Sequence, residues 1–350
     1  MDIWNNRRVF LTGHTGFKGG WLAIWLKSLG AQVTGFSLPA SLHSIYEAAG
    51  LSGQYSETLA DIRDLELVRK SAIAADPEVI IHMAAQPLVR ASYADPIETY
   101  STNVMGTAHI LEAARTCQSL VAVLVITTDK VYESTETDTG YRENDPLGGD
   151  DPYSSSKVCA EHVSSSYRKS FFSGPEAPLI ATARAGNVIG GGDWGQDRLV
   201  PDMLRAMEED RPVKIRSPNS VRPWQHVLDP LWGYLKLAEQ LLAGNSACAG
   251  PWNFGPPPTD LQTVSAVADK FATYWGQGAS WEHDAASHVK ETAILVLDPS
   301  KSVTELNWQP LLNLDESIRF TVDWHKSHQA GADALTLSLE QIESYTARLR

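Results

Sequence analysis

The stretch RVFLTGHTGFKGG, residues 8–20, decides the fold. Residues 8–12 predict a short strand, and residues 21–29 predict a helix that ends at Gly30. The glycines between them form a Gly-x-x-Gly-x-x-Gly turn, which lets the backbone approach a pyrophosphate at the positive end of the helix. Lys18 either meets a cofactor phosphate or is solvated beside the helix start. The candidate cofactor contacts in this turn are Gly13, His14, Gly16, Phe17, Lys18 and Gly19.

Strands alternate with helices after this turn. Further strands are predicted at residues 32–37, 78–82, 120–126 and 179–183, and the longest helix at residues 96–117. This alternation predicts a parallel sheet with right-handed crossovers, in a doubly wound α/β fold of the Rossmann type. The alternation stops after residue 186. We therefore expect a dinucleotide-binding domain at 1–186. A smaller α/β substrate-binding lobe is expected mainly at 187–350, with some segments returning to the first domain.

The ends of the later strands supply further candidate contacts for the dinucleotide. The second strand ends in TGFSL, residues 34–38, without the acidic residue that usually holds the adenine ribose of NAD, so the residues leave NAD and NADP open. Asp61 could accept a hydrogen bond from an adenine amino group, with Ile62 against the ring. The alternative is a helix N-cap, a role that Asp64 fills better. The remaining candidates are Ala84, Ala85, Gln86, Thr127, Tyr153 and Lys157.

Two short pieces near the middle of the chain carry the candidate chemistry. TTDKVY, residues 127–132, follows the apolar strand at 120–126, and YSSSK, residues 153–157, opens a helix. Tyr153 and Lys157 are one helical turn apart, so their side chains share a face. Because a phenol beside an ammonium loses its proton more easily, we expect Lys157 to lower the pKa of Tyr153 and to make it a base. The alternative is an exposed Tyr and Lys on an ordinary helix.

Composition limits the classes of protein and partner. The 350 residues are 43% hydrophobic and 20% charged, an ordinary globular composition that allows two lobes. A net charge of −13 and a pI near 5.2 argue against a nucleic-acid partner. Three widely spaced cysteines, Cys117, Cys159 and Cys248, argue against a disulfide framework or a metal site. Residues 1–8 are polar and no run is long enough to span a bilayer, so we expect a cytoplasmic protein without a membrane partner.

With these motifs, the chain resembles the extended short-chain dehydrogenase/reductases that modify nucleotide sugars, over roughly residues 8–330. TGHTGFKG at 12–19, TDK at 128–130 and RPWQH at 222–226 are similar to the CDP-glucose branch of the 4,6-dehydratases. The most specific element is Asp129-Lys130, because related dTDP-glucose dehydratases carry Asp-Glu there and 4-epimerases lack the pair. That branch uses NAD, so the resemblance implies NAD as the cofactor and CDP-glucose as the substrate.

The resemblance implies an internal redox reaction. Hydride leaves sugar C4 for NAD, water is lost across C5 and C6, and hydride returns to C6, which gives a 4-keto-6-deoxy sugar. Tyr153 then takes the C4 hydroxyl proton, Thr128 hydrogen-bonds the C4 oxygen, and a buried, neutral Asp129 protonates the leaving C6 hydroxyl. Lys130 takes the position of the C5 base, which requires that burial near Lys157 removes its charge. Alternatively, Lys130 stabilises the enolate electrostatically and another base serves.

The resemblance also implies where substrate and subunits meet. The nucleotide-diphosphate contacts are expected at Asn187, Arg198, Arg216, Arg222 and His226. Two phosphates need cations, and arginine is the suited side chain, although surface arginines are the alternative. A homo-oligomer, either a dimer or a dimer of dimers, is implied by helices around Asn103 and Tyr153 that pack against their copies. Both helices carry apolar residues beyond one stripe, for example Ile110 and Leu111.

Two other interpretations remain open. A nucleotide-sugar 4-epimerase of the same fold needs Tyr153 and Lys157 but no acid–base pair at 129–130, and it loses no water. A non-catalytic dinucleotide-binding scaffold would keep only the fold, and the complete set of Thr128, Tyr153 and Lys157 counts against it.

Overall fold

The parallel sheet expected from the sequence is present in the computed structural model, which describes residues 2–134, 140–209, 211–257, 261–276, 278–284, 286 and 295–349. The strands of these ranges are β1 (Arg8–Thr12), β2 (Gln32–Ser37), β3 (Ser56–Leu59), β4 (Val79–His82), β5 (Ala122–Ile126), β6 (Leu179–Ala185), β7 (Val188–Ile189), β8 (Val213–Ile215), β9 (Val221–Arg222), β10 (Gln225–His226), β11 (Pro251–Phe254), β12 (Gln262–Thr263) and β13 (Trp281–His283). Seven of them form the central sheet, in the order β11-β6-β5-β4-β1-β2-β3, with every neighbouring pair parallel. This arrangement confirms the doubly wound α/β fold.

Helices connect the strands on both faces of the sheet. They are α1 (Phe17–Ser28), α2 (Ile45–Ala48), α3 (Leu65–Ala75), α4 (Val89–Ala94), α5 (Pro96–Tyr100), α6 (Gly106–Ala114), α7 (Pro152–Ser170), α8 (Leu199–Glu208), α9 (Leu228–Leu242), α10 (Val264–Trp275), α11 (Ser300–Leu306), α12 (Leu314–Gln329) and α13 (Ala334–Ala347). The helix expected at 96–117 is interrupted, because a π-helical turn, Ser101–Met105, separates α5 from α6. The apolar pattern predicted the path of this segment but not the extra residue that the wider turn accommodates.

Two apolar layers enclose the sheet. On one face, Trp21 and Trp25 of α1 pack with residues of α9 and α13, and all are buried. On the other face, Val68 of α3 packs with Ile110 and Leu111 of α6. Strands β4 and β5 are buried along their whole length, as expected for strands covered on both faces. The sheet is therefore a rigid platform whose carboxyl edge stays open between the layers.

The second half of the chain divides its residues between the sheet and a smaller lobe. Strand β11 pairs in parallel with β6 and extends the sheet beyond the first 186 residues. The smaller lobe has its own apolar core, built by α8, α10 and α12 around residues such as Met203, Phe271 and Ile318. This core places the loops before α8 and after β8 opposite the carboxyl edge of the sheet.

Candidate active site

A large cavity opens where the carboxyl ends of the sheet strands meet the smaller lobe. The glycine turn after β1 forms one wall, and segments around α8 and β8 form another. Its volume is about 1070 Å³. Pockets for one small molecule usually occupy roughly 300–1,000 Å³. The cavity therefore has room for a dinucleotide against the sheet and a second ligand beside the smaller lobe.

Most of the residues singled out in the sequence line this cavity. They are Gly13, Gly16, Phe17, Lys18, Gly19, Asp61, Ile62, Ala84, Ala85, Thr127, Thr128, Asp129, Lys130, Tyr153, Lys157, Asn187, Arg198, Arg216 and Arg222. Within the described ranges, His14, Gln86 and His226 are not among the lining residues. The fold thus brings together side chains from both halves of the sequence.

The glycine turn has the close backbone packing that a dinucleotide site needs. Gly13 has a φ of +75°, and a Cβ there would lie 2.7 Å from the backbone nitrogen of Ala84. A Cβ on Gly19 would lie 2.0 Å from the carbonyl oxygen of Gly13. Gly16 is the N-cap of α1 and offers no side-chain acceptor to the first N–H groups of the helix. These residues therefore fit a pyrophosphate at the positive helix end.

His14 lies behind the glycine turn instead of facing the cavity. Its ring occupies the space above Gly35, where a Cβ would lie 2.6 Å from the imidazole. Its Nε2 is 2.8 Å from Oε2 of Glu57, and the ring is fully buried. The His14 side chain is therefore engaged in a buried interaction with the neighbouring strand, and only its backbone remains a candidate cofactor contact.

Gln86 and His226 are also directed elsewhere. The side-chain amide of Gln86 donates to the carbonyl of Leu88 at 3.1 Å. His226 is fully buried between the rings of Trp21 and Phe320, with ring-centroid distances of 6.2 and 5.5 Å. Burial lowers the pKa of His226 to about 3, so this side chain is neutral. The structure does not place these two side chains where a ligand in the cavity could contact them.

Thr128, Asp129 and Lys130 follow β5 in a short 3-10 turn at the base of the cavity. Asp129 is 1% exposed, and its Oδ1 accepts a hydrogen bond from the Thr128 hydroxyl at 3.0 Å. Its Oδ2 has no hydrogen-bond partner among the described residues. The buried carboxyl expected at position 129 is therefore present, with one oxygen that no described residue bonds.

Lys130 does not have the deep burial that a lysine base was expected to need. Its side chain remains 28% exposed, and its Nζ lies 3.8 Å from Oδ1 of Asp129. The turn that buries Asp129 directs the next side chain toward the opening of the cavity. The geometry thus places the Lys130 side chain at the cavity, beside the Asp129 carboxyl.

Tyr153 and Lys157 lie on the buried face of α7, whose N-cap Asp151 accepts from the Ser154 N–H at 2.9 Å. Burial raises the pKa of Tyr153 to about 12. A hydrogen bond with Thr128 and the nearby Arg198 guanidinium act in the opposite direction and lower this pKa. This corrects the expectation that Lys157 would supply the opposing charge.

Lys157 is directed at the sheet instead of the phenol. Its Nζ donates to the carbonyl of Ile126 at 3.1 Å. Burial, with the positive charge of Lys18, lowers the pKa of Lys157 to about 7. Near neutral pH this amine is therefore poised between its two protonation states.

Lys18 lines the cavity and is partly buried, so it is not a solvated surface residue. Its Nζ is 5.8 Å from the ring centroid of Tyr234 on α9. Burial and the positive charge of Arg198 lower the pKa of Lys18 to about 8, while Asp129 opposes the shift. The contact with Tyr234 was not detectable in the sequence, because Tyr234 looks like any buried aromatic residue of an amphipathic helix.

The buried Glu161 is a second site residue that sequence patterns did not reveal. Its carboxylate accepts from Arg184 Nε at 2.9 Å, from Thr127 at 2.6 Å and from Thr182 at 2.7 Å. These contacts fasten α7 to the ends of β5 and β6. The available signal was spacing, since Glu161 continues the face of Tyr153 and Lys157 by one more helical turn.

The arginines that line the cavity are already paired or buried. Arg198 donates to both carboxylate oxygens of Asp193 at 3.1 Å, and Arg216 lies 3.3 Å from Asp197. Arg222 is 6% exposed. Asp193 and Asp197 were not singled out in the sequence, where they look like ordinary polar loop residues.

Residues 10–244 match the family model described as GDP-mannose 4,6 dehydratase. The chain belongs to this family. Its members include sugar-nucleotide dehydratases, and over 349 residues the chain is 48% identical to the CDP-glucose 4,6-dehydratase of Salmonella typhimurium. That match covers 98% of this chain and 97% of the relative. The resemblance to nucleotide-sugar dehydratases of the extended short-chain dehydrogenase/reductase group is thereby confirmed.

Solved structures share the fold across nearly the whole chain. UDP-glucose 4-epimerase from Thermotoga maritima, solved with UDP-glucose, has a TM-score of 0.80 at 20% identity and covers 92% of this chain and 99% of its own. UDP-glucose 4-epimerase from Thermus thermophilus, solved as a complex with NAD, has a TM-score of 0.78 at 25% identity and covers 93% and 99%.

Metal-binding and membrane-spanning features are both missing from the part of the chain that the structure describes. Its residues contain no cluster of three or more His, Cys, Asp or Glu side chains that could bind a metal. Among the described helices, none is both long and apolar enough to cross a membrane.

Replacing Gly13 by Ala is expected to destabilise the protein more than the same replacement at an uncrowded glycine of positive φ. Gly50 is the matched control, because it also has a positive φ of +57° but has no atom within 4 Å of the place that a Cβ would occupy. Gly50→Ala should cost about 1–2 kcal/mol of unfolding free energy through backbone strain alone. Gly13→Ala should cost clearly more and should also weaken NAD binding. Urea unfolding and calorimetric titration measure the two effects, and equal behaviour of both variants would contradict the packing argument.

Proposed function

We propose that the protein is an NAD-dependent CDP-glucose 4,6-dehydratase, a hydro-lyase that converts CDP-glucose to CDP-4-keto-6-deoxyglucose and water. The observation that carries this proposal is the buried Asp129 carboxyl beside Thr128 and Tyr153 in one cavity. An epimerase needs no acid there, whereas elimination of a hydroxyl does. Identity of 48% to a CDP-glucose 4,6-dehydratase along 98% of the chain supports the same reaction and the same substrate.

The glycine turn and the ends of β4 and β5 form the proposed cofactor groove. NAD, when bound there, supplies the acceptor and donor of hydride that an internal redox reaction needs. The residues that would hold it are Gly13, Gly16, Phe17, Lys18, Gly19, Asp61, Ile62, Ala84, Ala85, Thr127 and Lys157. A nicotinamide cofactor bound to a structural neighbour of 25% identity supports this assignment.

Tyr153 is the proposed base for the C4 hydroxyl. The chain alone holds its pKa at about 12, so Tyr153 becomes a base only when positive charge gathers around the phenol. Arg198 already contributes to this, and the Thr128 hydroxyl, which hydrogen-bonds the phenol, is the proposed partner of the C4 oxygen. Lys157, fixed by its hydrogen bond to the Ile126 carbonyl, is proposed to hold the cofactor side of the site.

Asp129 is the proposed acid for the leaving C6 hydroxyl, and Lys130 acts at C5. The Oδ2 of Asp129, which no described residue bonds, is the atom that would carry the transferred proton. The ammonium of Lys130, 3.8 Å from the other oxygen, is placed to stabilise negative charge that develops when the C5 proton leaves. The alternative is that Lys130 itself takes this proton.

The smaller lobe, mainly residues 187–350, is proposed to bind the nucleotide part of the substrate. Asn187, Arg198, Arg216 and Arg222 line the cavity and come from the second half of the chain. Guanidinium groups suit a diphosphate because they donate two parallel hydrogen bonds to its oxygens.

A homo-oligomer built on a dimer is also proposed. Ile110 and Leu111 are buried in the core of the protomer, which corrects their expected place at the interface. Ile97 and Met105, on the same helical segment, remain 76% and 49% exposed and offer apolar surface for a second copy. Light scattering at micromolar concentration should give at least twice the 38.3 kDa chain mass, and a monomer mass would contradict the proposal.

We further propose a cytoplasmic location, in keeping with three free cysteines.

Incubation with CDP-, dTDP-, UDP- and GDP-hexoses, followed by mass spectrometry of the products, tests the function. CDP-glucose should lose the mass of one water, and an isomer of unchanged mass would instead indicate the epimerase.

Tyr153→Phe should slow oxidation at C4 by about 10²–10⁴-fold, as expected for a lost general base. Tyr167→Phe, on the same helix and outside the cavity, is the matched control and should leave the rate unchanged.

Lys130→Met should separate oxidation at C4 from elimination. If Lys130 acts at C5, the variant still oxidises C4 and a 4-keto hexose accumulates on the enzyme, while wild type shows little of it. Wild type should also place solvent deuterium at C5, and the variant should exchange that proton slowly. Lys169→Met, at the exposed end of α7, is the control. Normal product and normal C5 exchange in Lys130→Met would remove Lys130 from the mechanism.

A further inference from the structure

A chain of charges crosses the cavity from the sheet domain to the smaller lobe. Nη1 of Arg90, on α4, lies 2.7 Å from Oδ1 of Asp197. The same oxygen lies 3.3 Å from Nη1 of Arg216, which follows β8. All three residues line the cavity. One carboxylate therefore holds two guanidinium groups that come from opposite walls.

Asp197 is held very differently from Asp193, four residues earlier in the same loop. Asp193 is 3% exposed, accepts from the Gly195 N–H at 3.1 Å and receives both of its Arg198 contacts at 3.1 Å. The Asp197 side chain is 37% exposed and adopts a left-handed φ of +57°, which is unfavourable for a residue with a Cβ. Asp193 is built into the loop, whereas Asp197 sits at the surface of the cavity.

Charge around Asp197 also favours its replacement by another anion. The carboxylate of Asp202 is close enough to interact repulsively with that of Asp197. Ion pairs as exposed as the one between Asp197 and Arg90 stabilise a protein little, since water and salt screen them. A diphosphate carries more charge than a carboxylate and can accept paired hydrogen bonds from both guanidinium groups.

We propose that Arg90 is a further ligand of the substrate's diphosphate, and that Asp197 is the internal carboxylate which Arg90 and Arg216 release when that diphosphate binds. The inference rests on the proposed function, in that it takes a nucleoside diphosphate as the ligand. Arg90 contributes a cation from the sheet domain, so side chains of both domains bind the same diphosphate. Asp197 keeps the guanidinium groups in place in the free protein and lowers the affinity by competing for them.

The two residues therefore have opposite effects on binding, which structural damage alone would not produce. Calorimetric titration of the full-length protein with CDP measures the affinity. Arg90→Gln should weaken CDP binding about three- to tenfold, because a guanidinium contact to phosphate is lost. Asp197→Asn should tighten it about two- to fivefold, because the competing charge is removed. Both effects should shrink as salt is raised.

Two controls separate this exchange from general electrostatics. Asp193→Asn removes an equal charge from the same loop but loosens Arg198, so it should weaken CDP binding. Arg69→Gln breaks an ion pair with Glu66 on α3, away from the cavity, and should leave CDP binding unchanged. Tightening by both Asp193→Asn and Asp197→Asn would overturn the proposal, since any lost negative charge would then suffice. Unchanged or weakened binding in Asp197→Asn, or unchanged binding in Arg90→Gln, would overturn it as well.

A parallel titration with UDP distinguishes this proposal from the proposed function. If UDP binds and CDP does not, while Arg90→Gln and Asp197→Asn shift UDP binding in the stated directions, the diphosphate site stands and the CDP-glucose specificity fails. If wild type dehydrates CDP-glucose but the variants bind CDP as wild type does, the function stands and the role of Arg90 and Asp197 fails.

Discussion

The buried ion pair between Glu161 and Arg184 is the interaction on which the arrangement of the site depends. The carboxylate has donors from β6 and from Thr127, the residue that joins β5 to the Thr128 turn, so it is satisfied without water. Removal of one partner would leave a buried charge unpaired, at a cost of about 3–5 kcal/mol. Because Glu161, Lys157 and Tyr153 share one helical face, this pair also fixes the height of the phenol and the amine above the sheet.

Positive charge is concentrated in the cavity of a protein whose net charge is −13. The charge of Arg198 disfavours that of Lys18, and the charge of Lys18 disfavours that of Lys157. Both effects add to burial, which lowers the pKa of Lys18 to about 8 and that of Lys157 to about 7. An anionic ligand would relieve this repulsion. The cavity is therefore destabilised electrostatically in the free protein and complementary to phosphate-bearing molecules.

Carboxylates of the loop before α8 balance that charge on the side of the smaller lobe. The buried carboxylate of Asp193 orients the partly exposed Arg198 through both of its oxygens, while Asp197 joins Arg90 and Arg216 near the surface. Two aspartates of one loop thus act differently: Asp193 positions one arginine, and Asp197 forms ion pairs with two others. Burial makes the difference, since a desolvated pair is costly to break and an exposed pair is easily exchanged.

The sequence by itself determined the order and direction of the elements. The glycine turn between a strand and a helix, the alternation up to residue 186 and the spacing of Tyr153 and Lys157 follow local rules of backbone geometry and periodicity. Those rules also placed Thr128 and Asp129 at the end of a buried strand. Only the tertiary structure decided that His14 and His226 turn away from the cavity, that Lys157 bonds the Ile126 carbonyl and that Lys18 points to Tyr234. Periodicity assigns a side chain to a face, but its partner and its charge depend on contacts between residues far apart in the chain.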